Sequence, residues 1–166
     1  MKPQEVSAIR FIDEYLIGQI EEIKDKYPYF AFLLMAVGIE FLGKCINEEE
    51  EWQTRGKSRA DFNRGLSIGP LNKYSGSTPD LYGCLRCGLV HALTPKGELV
   101  LSDIDATETL NCDSFYGDFV RACRMVIDRE VDIPKKDLDK ILFTVTTTED
   151  GASNTGVTTT EVIDKQ

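Results

Sequence analysis

Apolar side chains at Val6, Ile9, Ile12, Leu16, Ile20 and Ile23 recur at steps of three and four residues. That spacing lines up one face of a helix and predicts a long amphipathic helix over residues 4–26, with its charges opposite. Pro28 suits the first turn of a second helix, where its missing N–H goes unused, and this helix is expected to reach about Ile46. From Tyr29 to Leu42 it is apolar nearly all round, broken only by Glu40, and it should form the centre of the core.

A polar connection over residues 47–57 carries Glu48 to Glu51 and Gly56. Ser58 is placed to cap a third, shorter helix from Arg59 to about Ile68, closed by Gly69-Pro70. Residues 72–79 read as a loop, and a fourth helix is expected from about Asp80 to Leu93, stopping before Pro95. The period then changes: Leu99-Val100-Leu101, between Gly97 and Asp103, predicts a small β element near residues 98–104. Asp113 is placed to cap a fifth helix from Ser114 to Glu130 with Phe115, Phe119, Ala122 and Val126 on one side, and a short helix is expected from Lys135 into Ile141. Val145-Thr-Thr-Thr-Glu149 recurs as Val157-Thr-Thr-Thr-Glu161 around a Gly/Asn/Ser-rich segment, which reads equally as a hairpin or a low-complexity tail. The chain is thus expected to be mainly α, with a helical domain over residues 1–143 and a Thr-rich hairpin or tail over 144–166.

Composition narrows the class. With 166 residues, 42% of them hydrophobic and 28% charged, the chain is long enough and apolar enough for one domain with its own core. Its first residues show neither an apolar run nor a small-residue cleavage site, so no secretory signal is expected. Five cysteines, an odd number, read as reduced thiols, and together these features predict a cytoplasmic protein. The stretch from Tyr29 to Leu42 is too short to span a bilayer core of ~30 Å comfortably, so no membrane association is expected. A net charge of −9 repels nucleic acid at long range and argues against coating DNA, while leaving room for a local basic groove. Residues 55–73 offer one: Arg55, Lys57, Arg59, Arg64 and Lys73 stand against Asp61 alone, with Phe62 and Tyr74 as candidate stacking partners for bases. This stretch reads either as a phosphate track for RNA or as a solvated helix face.

The chemistry concentrates in the fourth helix, Leu81-Tyr-Gly-Cys-Leu-Arg86-Cys-Gly-Leu-Val-His91, which is apolar on most sides yet carries Arg86 and the single histidine. A buried guanidinium needs a partner, a ligand or an interface. Glu40, an acid within an apolar helix, needs one too, and each is the obvious candidate for the other. On an α-helix, residues five apart project roughly 140° from one another with about 7.5 Å of rise. Arg86 and His91 would then converge on one ligand most easily if a two-fold partner supplied a second copy of the helix.

An Arg, four intervening residues and a His on a helix of a helical domain resembles the HEPN superfamily. The resemblance covers about residues 4–130, and its specific part is Arg86-Cys-Gly-Leu-Val-His91. It implies a helical bundle acting as a homodimer. Many members are metal-independent ribonucleases of toxin or antiphage systems, and others are inactive binding domains. It implies Arg86 and His91 as the catalytic pair, supported by Glu40, with no metal or cofactor. His91 would exchange a proton with a ribose 2′-hydroxyl, and Arg86 would bind the phosphate through its planar fork. The alternative is a non-catalytic interaction or nucleotide-binding module, with Arg86 paired to Glu40 and His91 capping the helix end.

Other signals carry less. Cys84-Leu-Arg-Cys87 lies within the fourth helix without a second pair to complete a zinc site, and its small residues read as room for a neighbouring helix. Asp103, Asp105 and Glu108 lack the glycine and terminal glutamate of a calcium loop. Phosphate-binding glycine loops and serine-nucleophile elbows are absent from the sequence.

Overall fold

A computed structural model describes residues 4–52, 56–76, 79–102 and 109–145. The fold is mainly helical, as expected. Helix α1 covers residues 8–24, with its middle, Phe11–Gln19, wound as a π-helix between α-helical ends. Helix α2 is Pro28–Cys45, α3 is Ser58–Leu66, α4 is Tyr82–Ala92 and α5 is Cys112–Ile127. Gly69–Tyr74 forms a turn of 3-10 helix between α3 and α4. Four strands complete the fold: β1 (Gln4–Ser7), β2 (Val100–Ser102), β3 (Thr109–Asn111) and β4 (Ile141–Val145).

Helix α2 is the core element. By length and composition it could cross a membrane, yet 56% of it is buried inside the fold, which makes it a central soluble-type helix here. Ala31, Phe32, Met35, Ile39 and Leu42 pack with Ile12, Leu16 and Ile20 of α1 and with Phe115, Phe119, Ala122 and Val126 of α5. Helices α2 and α3 meet at backbone distance. A Cβ on Gly43 would lie 1.7 Å from the Asp61 carbonyl oxygen, and one on Gly65 would lie 1.9 Å from that of Ile39. Only glycine permits this approach at either position. It sets Ser58, at the start of α3, beside Glu40 of α2.

Several local expectations are corrected. Residues 4–7 are not helix. They pair antiparallel with β4, Val6 opposite Phe143, and α1 begins only after Ser7, whose hydroxyl oxygen accepts from the Arg10 N–H. No helix runs from Lys135 into Ile141, because residues 141–145 are that partner strand. Asn111 rather than Asp113 caps α5, accepting from the Ser114 N–H at 2.8 Å, while Asp113 pairs with Lys24. Ser58 gives no cap to α3, since its hydroxyl is turned to Glu40. The small β element lies where expected, as β2 paired in parallel with β3. The acidic loop of Asp103, Asp105 and Glu108, and the threonine-rich repeats beyond Val145, lie outside the described residues.

Candidate functional site

Glu40 is 92% buried on the face of α2 that meets α3 and α4. Its carboxylate is fully occupied: Arg86 Nε donates to Oε2 at 2.7 Å, the Ser58 hydroxyl donates to the same oxygen at 2.6 Å, and Lys44 Nζ lies 3.5 Å from Oε1. A desolvated carboxylate is tolerated when it collects donors in this way. The Arg86 side chain, only 16% exposed, is thereby held by its Nε edge with its outer nitrogens turned toward His91.

The second contact overturns the α-helical geometry expected for the pair. Arg86 Nη1 lies 3.3 Å from His91 Nε2. Helix α4 is wound as a π-helix along all eleven residues, and the Leu93 N–H reaches back to the Gly88 carbonyl. In a π-helix the repeating bond links residues five apart, so the side chains of positions 86 and 91 stack on one face. A single chain therefore assembles the pair, and convergence needs no second copy. For the guanidinium to donate, Nε2 must carry its lone pair, which fixes the neutral ring with its proton on Nδ1. His91 stands exposed at the rim, with a basic nitrogen beside a guanidinium.

The end of α4 is folded back on itself. Leu93 adopts a left-handed conformation (φ 53°), unusual for a branched side chain, and the Tyr29 hydroxyl donates to its carbonyl. Thr94 N–H then bonds the Gly88 carbonyl at 3.3 Å, and Lys96 N–H bonds that of Cys84 at 3.0 Å. A Cβ on Gly88 would meet the Thr94 oxygen at 2.5 Å. The small residues of the Cys-x-x-Cys-Gly segment thus make room for the returning chain, not for another helix.

Tyr82, one π-turn ahead of Arg86, forms the other wall. Its ring lies 5.9 Å from Arg86 Cζ and 4.5 Å from Arg59 Cζ, and Phe62 meets it edge-on. Arg59, bonded to Asp80 at 2.8 Å, joins the rim of the site, and that carboxylate holds its pKa up. Tyr82, Lys44 and the Ser58 hydroxyl were not singled out from the sequence. Lys44 follows Glu40 at the i, i+4 spacing that marks a helix-face ion pair, and this was the signal available for it.

The remaining residues of the basic stretch go elsewhere. Lys57 bonds Glu49, whose carboxyl it holds below the usual range, Arg64 bonds the buried Asp61 at 2.9 Å, and Lys73 bonds the buried Asp118 at 2.5 Å. Each described cation of the stretch has its own carboxylate, and Arg55 lies outside the described residues. Phe62 is fully buried, and Tyr74 donates its hydroxyl to Asp118 with its ring against Phe115, so neither stands ready to stack on a base.

Among the described residues, no group of three or more His, Cys, Asp or Glu side chains gathers around a point that could hold a metal ion. The chain matches no protein-family model, no curated protein and no solved structure. Only its own residues bear on what it does.

Proposed function

We propose that this chain is a HEPN-like, RNA-directed protein whose Arg86–His91 pair cleaves RNA without a metal, as a homodimer. The observation that carries this reading is the 3.3 Å approach of Arg86 Nη1 to His91 Nε2 on a π-wound helix. Long π-helical winding is rare, and where it occurs in short form it clusters at functional sites. In the proposed step, His91 Nε2 takes the proton of a ribose 2′-hydroxyl, whose oxygen attacks the adjacent phosphorus. The bond to the 5′ oxygen of the next nucleotide breaks and leaves a cyclic phosphate. Arg86 uses two of its five N–H groups on Glu40 and His91, and the others bind the phosphate and offset the charge it gains. Arg59, over the same tyrosine ring, is the member of the basic stretch placed to hold a neighbouring phosphate.

The homodimer rests on a separate observation. Tyr27, Phe30, Leu34 and Val37 form an exposed apolar stripe along α2, continuous with the site helix through the Tyr29–Leu93 hydrogen bond. A two-fold pairing would bury this stripe on its own copy and bring two His91 rims together.

A second reading is a non-catalytic interaction or nucleotide-binding module. The 2.7 Å bond from Arg86 to a nearly buried Glu40 favours it, since such a pair can serve packing alone. Cleavage of mixed-sequence RNA in EDTA separates the two. The catalytic reading expects cyclic-phosphate ends from the native protein and none from His91→Ala, a substitution at an exposed residue that leaves the fold intact by circular dichroism. Absence of cleavage by the native protein across varied RNAs would favour the binding module.

A further inference from the structure

A second concavity lies on the side of α3 away from Tyr82. It is an open cleft of about 730 Å³ between the end of α2, the outer face of α3 and the segment after α5, within the range of small-molecule sites. Its apolar lining comes from Ile46, Ile68, Val131 and Pro134. Its two cations are already matched, Lys57 to Glu49 and Arg64 to Asp61. The carboxylates of Glu48 and Asp132, also in the lining, make no ion pair among the described residues. Behind Asn47 and Arg64 sits Asp61, fully buried. Its Oδ1 is bonded to both of these lining residues, and its Oδ2 has no hydrogen-bond partner. A buried carboxylate oxygen without a donor is costly and asks for one.

The unmet demand around this cleft is therefore entirely for hydrogen-bond donors carrying positive charge, above an apolar floor. We infer that the cleft binds an aliphatic diamine or polyamine, with its ammonium groups at Glu48 and Asp132 and its methylenes against Ile46, Ile68, Val131 and Pro134. Neither the ligand nor the cleft is used in RNA cleavage, so the inference stands apart from that reading.

The acidity of the whole chain makes diffuse binding of any polycation the competing explanation, and the experiment is built around it. Titration calorimetry with putrescine and spermidine would be run on the full chain, on Glu48→Gln/Asp132→Asn and on Glu22→Gln/Glu98→Gln. The last removes the same number of carboxylates from exposed positions outside the cleft. Saturable one-to-one binding is expected, weakened roughly tenfold or more in the cleft variant by the loss of two ion pairs, and unchanged in the control. Equal weakening in both variants, or no saturable heat with either amine, would overturn the assignment.

Discussion

Removing the Arg86 side chain tests whether Glu40 holds the site in place. In Arg86→Ala the Glu40 carboxylate loses its 2.7 Å partner but keeps the Ser58 hydroxyl at 2.6 Å and Lys44 at 3.5 Å. A buried charge left wholly alone costs about 3–5 kcal/mol, whereas a single hydrogen bond to a charged group contributes about 1.5–3 kcal/mol. With two partners retained, the loss should fall at the lower end, about 2 kcal/mol. For a chain of this size that corresponds to a melting temperature lower by roughly 4–8 °C. Urea unfolding should show the same loss as a lower midpoint with an unchanged slope. Adding Glu40→Gln removes the charge that the deletion stranded, so the double variant should be more stable than the sum of the two single losses, with a coupling of about 1 kcal/mol or more. If Arg86→Ala unfolds at the native midpoint, or the two losses simply add, the carboxylate does not hold the guanidinium and the account of how Arg86 is oriented fails.

Three further outcomes follow from the same structure. Gly88→Ala would drive its methyl into the Thr94 carbonyl, the Lys96 N–H and the Pro95 Cα, all backbone, and should cost about 1–3 kcal/mol in thermal unfolding; a neutral variant would mean the returning chain is not packed there. Burial alone would raise the Asp118 carboxyl, but Lys73, Tyr74 and Arg121 together hold it below its usual range. Its contribution to stability is therefore complete above the unfolded value of about 3.9 and fades as pH falls through the lower folded one, so Asp118→Asn should flatten the urea midpoint against pH in that acid window. Leu34→Glu, in the exposed stripe of α2, should leave the melting temperature within about 1 °C while shifting light-scattering mass from dimer to monomer, and an unchanged mass would remove that stripe as the interface.

The helices were legible because their apolar positions repeat. Ile12, Leu16 and Ile20, and likewise Phe115, Phe119, Ala122 and Val126, are buried where the three- and four-residue steps place them. The partnership of Glu40 with Arg86 was legible too, since each is the polar exception in an apolar helix. The strand at residues 4–7 was not, because Val6 fits a helical face as well as a strand, and only Ile141–Val145, far along the chain, decides between them. The winding of α4 was hidden for a related reason: side-chain periodicity over eleven residues barely distinguishes π from α, yet the angle between Arg86 and His91 depends on it. The charge of residues 55–73 misled as a track because its neutralising partners, Glu49, Asp80 and Asp118, come from outside the segment.

The antiparallel pairing of β1 with β4 has a consequence for how the protein comes into being. Residues 4–7 leave the ribosome early and wait for residues 141–145, and the Ile9 N–H waits likewise for the Leu138 carbonyl. Until then the entrance to α1 has an unpaired strand edge, of the kind that seeks partners on other chains. The helices carrying Glu40, Ser58 and Arg86 are all made before that closure. A nascent chain would thus hold its arginine–histidine pair in outline while still open at its seam, and the last strand to arrive would act as the clasp.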